Sequence, residues 1–133
     1  MERLRERLIS ARRVVTTLQE VACLASPTTI ERDAAIQRFE YSFEALWKAA
    51  QRYLKAREAV EIGTPKSCIR ASRDAQLLDD RQTESALEMA NDRNVTSHIY
   101  SEKVAEEVFR RLCDHCRLLD TWLSAMEARV RDA

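Results

Sequence analysis

Apolar residues at Leu4, Leu8, Ala11, Val15, Leu18, Ala22 and Ala25 alternate steps of four and three, which gathers them on one stripe of a long first helix. Ser26-Pro27-Thr28-Thr29 interrupts it, because proline disfavours helix in the residue before it and a threonine can cap the helix that follows. A second helix is predicted from near Ile30 to about Val60. Ile36, Phe39, Phe43, Leu46, Ala50 and Tyr53 line its inner face, and Arg32, Gln37, Arg38, Lys48, Gln51, Arg52 and Lys55 its outer one. Gly63 suits a C-cap and Pro65 the first turn of a short third helix ending near Leu78. Asp79, Asp80 and Thr83 offer further caps. A fourth helix from about Glu84 would turn Leu87, Ala90 or Asn91, Asn94 and Val95 inward. Ser101 predicts the N-cap of the last helix, whose stripe runs Val104, Val108, Leu112, Cys116, Leu119, Leu123, Met126 and Val130. The pattern is that of one all-α domain over residues 1–133, an up-down bundle of four or five helices.

Composition narrows the alternatives. One glycine and two prolines in 133 residues compare with roughly 12% for the two together in an average protein. Hairpins and sandwiches need more turn residues than that, and a lone Gly63 cannot build a G-x-G-x-x-G or Walker loop. Rossmann enzymes and P-loop NTPases are therefore excluded. Twenty-two basic residues balance 22 acidic ones, so no global field draws the protein to nucleic acid or an anionic membrane, and any RNA contact must be local. The charged first twenty residues lack the apolar core of a secretory signal, and no apolar run is long enough to span a membrane. These features predict a cytoplasmic protein. In that reducing compartment Cys23, Cys68, Cys113 and Cys116 read as small buried hydrophobes.

Two histidines hold most of the candidate chemistry. His115 lies in Cys113-Asp114-His115-Cys116, which invites a zinc reading. A structural zinc site needs a second ligand pair, however, and Cys23 and Cys68 are isolated. The plainer expectation puts Cys116 and Cys113 in the core and His115 in solvent. His98 sits among Arg93, Asn94, Thr96, Ser97 and Tyr100. An imidazole can move a proton near neutral pH and an arginine fork can hold two phosphate oxygens, a combination suited to phosphodiester chemistry. The same composition also suits a helix end, where Asn, Ser and His satisfy backbone groups. On an ideal helix Arg93 and His98 stand about 140° apart. They share a site only if the helix distorts, the arginine reaches round or a second chain contributes. Asn94 and His98, four apart, share a face.

Two stretches resemble a known family. Arg38-Phe39-Glu40-Tyr41-Ser42-Phe43-Glu44-Ala45-Leu46-Trp47-Lys48 resembles the second-helix signature of nucleotidyltransferase substrate-binding proteins, and Arg93-Asn94-Val95-Thr96-Ser97-His98 resembles their other hallmark. These helical proteins belong to the HEPN superfamily, marked by an arginine, four to six residues and a histidine. The resemblance implies a homodimeric bundle partnered by a minimal nucleotidyltransferase. In many such pairs the helical member is a toxin, a metal-independent endoribonuclease that needs no cofactor. Arg93 and His98 would then be catalytic, meeting RNA at a dimer cleft, with Asn94 and Glu40 in support. Tyr100 completes an R-x4-H-x-Y pattern whose tyrosine the partner, acting as antitoxin, adenylylates. The alternative within the family is a non-catalytic subunit that presents substrate or nucleotide to the transferase. Glu40 flanks the Phe39 and Phe43 stripe, where it would either face the cleft and hold Arg93 or a base, or pair along its own helix. Tyr41 and Trp47 read as core or dimer interface and Lys48 as solvated.

Overall fold

The computed structural model describes residues 2–132, as five helices: α1 Glu2–Gln19, α2 Thr29–Glu58, α3 Pro65–Asp74, α4 Asp80–Thr96 and α5 Glu102–Arg131. Helix α2 packs against all four others and α5 against α1, α2 and α4. Helices α2 and α5 run parallel. At their first turns Arg32 Nη1 donates to Glu102 Oε2 at 2.6 Å, and near their ends Arg57 Nη1 donates to the Arg129 carbonyl at 3.4 Å. The return between them is made by α3 and α4, whereas α1 closes the other side. Arg12 of α1 reaches Asp120 and Glu127 of α5.

Capping sets the starts. Thr28 and Glu31 form a reciprocal capping box at α2, Asp79 and Gln82 another at α4, and Ser101 Oγ accepts from Val104 N at α5. Each satisfies backbone donors that a helix N-terminus otherwise leaves free. The core is continuous, with Leu4, Leu18, Phe39, Phe43, Leu46, Met89, Leu112, Trp122 and Leu123 fully buried.

Several expectations need correction. Helix α1 ends at Gln19, since Val21 N and Ala22 N both turn back to the Leu18 carbonyl; Ala22 stays buried while Ala25 is exposed. The left-handed C-cap of α2 is Ala59, with φ 55°, and Gly63 lies in the following loop without a positive φ. Helix α3 stops at Asp74, and Leu77 and Leu78 are buried from the loop beyond it.

The inward face of α4 also differs from the expected one. Its buried residues are Thr83, Ala86, Met89, Ala90, Asp92 and Thr96, while Asn91, Asn94 and Val95 are exposed and Leu87 is half-buried. Three of the inward positions are polar and find partners. Thr83 Oγ1 donates to the Asp79 carbonyl and Thr96 Oγ1 to the Arg93 carbonyl, and Asp92 is held by α5. A buried stripe built partly of satisfied polar groups does not register as apolar periodicity.

The cysteines divide. Cys68 and Cys116 are buried thiols, as expected, but Cys23 and Cys113 form a disulfide that ties the α1–α2 connection to α5 across 90 residues. Helical periodicity could not show this pairing, because Cys23 lies on an exposed turn beyond the end of α1.

Candidate functional site

The α4–α5 turn concentrates the predicted chemistry. Arg93, half-buried on the last turns of α4, places Nη1 3.5 Å from Glu40 Oε2 on α2 and donates to Ser97 Oγ at 3.3 Å. Its buried Nε has no hydrogen-bond partner among the described residues. Glu40 thus reaches across to Arg93 of α4 rather than pairing along its own helix. The helix tightens just after Arg93: Ser97 N bonds to the Asn94 carbonyl and His98 N to the Val95 carbonyl at 2.8 Å. That i→i+3 bonding tightens the last turn, but at about 120° per residue it does not close the offset of about 140°, and no hydrogen bond joins the Arg93 and His98 side chains among the described residues. The Arg93 guanidinium reaches the residue immediately before His98.

His98 lies exposed beyond the helix end, its ring 6.4 Å from that of Tyr100, and Tyr100 is 87% exposed. Asn94 is exposed on α4. Because α4 ends at Thr96, the ideal-helix register that would align Asn94 with His98 does not extend to His98, and no hydrogen bond joins the two among the described residues. A hollow of about 500 Å³ adjoins the turn, lined by Arg32, Ile36, Thr96, Ile99, Tyr100 and Glu102. Arg32 is buried between Asp33 and Glu102, and its hydrogen bonds to Glu102 and Asp33 keep it charged well above any working pH.

Under this turn lies a polar cluster that sequence reasoning missed. Asp92, the residue before Arg93, accepts two hydrogen bonds from Arg111, at 2.7 and 2.9 Å, and one from His115 Nε2 at 2.6 Å. His115 is buried, not solvated, and its ring stacks on Phe39 with centroids 5.4 Å apart. Burial pushes the Asp92 carboxyl up, but the hydrogen bonds from Arg111 and His115 outweigh it and hold the group below the usual carboxylate range. An ionised Asp92 only accepts, so the Nε2 facing it carries the proton. One signal was available: His115 stands three residues from Leu112 and four from Leu119, on the face of α5 that meets α4.

Adjacent residues therefore make paired contacts. Phe39 and Glu40 of α2 touch His115 and Arg93, and Asp92 and Arg93 of α4 touch His115 and Glu40. The Cys113-Asp114-His115-Cys116 run does not act as one ligand set: Cys113 is disulfide-bonded, His115 is engaged by Asp92 and Cys116 is buried. No group of three or more His, Cys, Asp or Glu among the described residues is arranged to hold a metal ion. Trp47 is half-buried with Nε1 donating to Glu44, whereas Tyr41 is 55% exposed and not a core residue. Lys48 is half-buried beside Glu44 at 3.4 Å. No described helix is long and apolar enough to cross a membrane.

Residues 6–128 match the family model described as nucleotidyltransferase substrate binding protein like. A crystal structure of a Thermus thermophilus protein has a TM-score of 0.85 and 47% sequence identity, over 87% of this chain and 98% of that one. A tri-AMPylated Shewanella oneidensis HEPN toxin in complex with MNT antitoxin gives a TM-score of 0.75 at 15% identity, over 94% and 96%. A mutant of the toxin–antitoxin pair MntA–HpeT gives 0.78 at 14%, over 96% and 99%. At these low identities the last two likenesses show the fold. Among curated proteins no sequence matches the chain.

Proposed function

The chain belongs to the nucleotidyltransferase substrate-binding-protein-like family of HEPN-type helical proteins, and from that premise we propose that it is a toxin of a toxin–antitoxin pair, a metal-independent endoribonuclease silenced by a partner nucleotidyltransferase. The observation that carries this reading is Arg93, held by Glu40 at the end of α4, with His98 and Tyr100 exposed on the turn that follows.

The proposed reaction is attack of a ribose 2′-hydroxyl on the adjacent phosphate. His98 accepts the hydroxyl proton as the new P–O bond forms, and Arg93 stabilises the charge on the pentacoordinate phosphorus. The 5′-oxygen leaves with a proton returned by the protonated His98 or by water, giving a 2′,3′-cyclic phosphate and a 5′-hydroxyl. General acid–base help is worth roughly 10² to 10⁴ in rate, and charge stabilisation in a partly dry site adds to it. Both groups serve one phosphate most directly in a homodimer, whose second copy faces its own turn into the same cleft. In this reading the protein works in the cytoplasm of a prokaryote, a compartment whose reductants act against the Cys23–Cys113 bond.

Tyr100 is the control point of the proposal. Its phenol oxygen attacks the α-phosphate of ATP in the transferase, pyrophosphate leaves, and the tyrosine gains a negatively charged adenylyl group beside His98. That charge and bulk would repel the RNA phosphate. The AMPylated state of the Shewanella oneidensis toxin of the same fold supports this assignment. The family description favours a second reading, a non-catalytic subunit that binds substrate for the transferase.

The test is cleavage of a mixed RNA pool in EDTA by wild type and His98→Ala. Cleavage by wild type alone, with cyclic phosphate ends, supports the ribonuclease. Silence of a wild-type protein whose intact mass shows no adenylyl group supports the binding subunit, which should then lose nucleotide affinity in Arg93→Ala.

A further inference from the structure

A second feature of α2 lies outside the proposed catalytic turn. Tyr41, Ala45, Lys48, Arg52 and Lys55 are spaced four, three, four and three, so they form one stripe on the outer face of this helix. Arg7 of α1 stands beside the stripe and lines two adjoining hollows. One, of about 530 Å³, includes Arg3, Ser10 and Ala45. The other, of about 440 Å³, includes Lys48, Arg52, Lys55 and Gly63. The wall of the second is fixed in place, because Ala59 turns the chain back at φ 55° and Gln51 Nε2 donates to the Ile62 carbonyl at 2.6 Å. Together the hollows make a channel along α2.

Its charge departs from the balance of the chain. Arg3, Arg7, Lys48, Arg52 and Lys55 face it, against the carboxylates of Glu6, Glu44 and Glu61. Glu44 pairs with Lys48 at 3.4 Å and Glu61 with Lys55 at 3.9 Å, exposed pairs that open at little cost. Arg3, Arg7 and Arg52 have no ion-pair partner among the described residues. Four residues before Ala45 on the same stripe stands Tyr41, a large aromatic left 55% exposed. Unpaired cations along a groove and an open aromatic face are the two elements of single-strand binding, one for the backbone and one for a base.

The stripe also starts one residue from the contact with the catalytic turn. Tyr41 follows Glu40, the residue that holds Arg93, and Lys48 to Lys55 lie about 12 to 22 Å further along α2 at 1.5 Å per residue. We propose that this channel binds the phosphodiester backbone of single-stranded RNA to one side of the cleaved bond, with Arg7 and Arg52 neutralising phosphates and Tyr41 stacking a base. The assignment of the cleaved bond rests on the ribonuclease reading; binding in the channel is measured without cleavage.

The experiment is fluorescence anisotropy with a labelled single-stranded RNA of about twelve nucleotides, within the usual range of such sites, on full-length His98→Ala protein titrated at several salt concentrations. Adding Arg7→Glu and Arg52→Glu should weaken binding at least tenfold. The milder pair Arg7→Gln and Arg52→Gln should lower the salt slope by about 0.7 per cation removed. Tyr41→Ala should weaken binding about fivefold or more while leaving the slope unchanged. Thermal melts confirm that each variant folds, and the glutamine pair still decides the matter if the glutamate pair does not. Unchanged affinity and slope in folded variants would overturn the proposal. So would conversion of a dimer to a monomer by these changes, seen in light scattering, which would assign the face to a second copy. Loss of the channel effect with His98-dependent cleavage intact would leave the ribonuclease reading standing. RNA cleavage indifferent to His98 would sink that reading while the binding series still judged the channel.

Discussion

Asp92 and His115 share a 2.6 Å hydrogen bond that joins α4 to α5 directly beneath the residue that carries the Arg93 guanidinium. Removing one member leaves the other buried without its partner, and that desolvation is what costs stability. Asp92→Ala should therefore destabilise the protein by about 1–3 kcal/mol, measured by thermal or denaturant unfolding. A variant as stable as wild type would mean that the cluster is replaceable by water. His115→Phe, which keeps the stack on Phe39 but not the bond, separates the two contributions.

The same carboxylate sets an acid limb. Its folded pKa lies below the ordinary value near 3.8, so its contribution is present above that value and is lost as pH falls through the lower folded value. Wild type should lose stability below about pH 4, and Asp92→Asn, already weaker at neutral pH, should show a shallower decline. Denaturant midpoints from pH 7 to pH 3 test this; parallel curves would contradict it.

The Cys23–Cys113 bond closes a loop of 90 residues. In the chain-entropy description such a loop is worth on the order of 4–5 kcal/mol, so reduction or Cys23→Ser should lower Tm markedly. Once reduced, Cys23, on an exposed turn, should alkylate quickly at pH 8. Burial pushes Cys68 up to about 12 and Cys116 up to about 11, so both should stay unlabelled until the protein unfolds. Mass spectrometry of the labelled peptides reads this directly.

For the proposed cleavage, His98→Ala should lower kcat by roughly 10² to 10⁴. Glu40→Ala acts through Arg93, which it would release to other rotamers, and should lower kcat about tenfold with less change in KM. Single-turnover kinetics separate the two. An effect of Glu40→Ala confined to KM would recast Glu40 as a binding residue.

Tyr100→Phe should escape the antitoxin. The variant keeps His98 and Arg93, so it should go on cutting RNA when incubated with the transferase and ATP, while wild type gains adenylyl mass and falls silent. Silencing of the variant without a mass change would show that the partner inhibits by contact alone.

Much of the bundle was legible in the chain because its long helices bury aliphatic side chains at helical spacing and start at Thr, Asp or Ser caps. The inner residues of α2 and α5 and the break before Ser101 could be read that way, whereas Arg93, His98 and Tyr100 stood out by their resemblance to a family motif. The face of α4 could not, because Thr83, Asp92 and Thr96 are buried polar groups whose partners lie on the backbone or on α5. A one-dimensional pattern scores such residues as exposed.

The sequence by itself determined the helical class, the capped starts and the side chains proposed for phosphodiester chemistry, since those depend on local propensity and side-chain type. Only the tertiary structure decided that Glu40 meets Arg93, that His115 is buried against Asp92, that Cys23 meets Cys113 and that Arg52 of α2 lines a hollow with Arg7 of α1. Each joins residues from different helices or from a helix and a loop. Which faces meet is fixed by how whole helices pack, and neighbour-to-neighbour spacing carries no record of it.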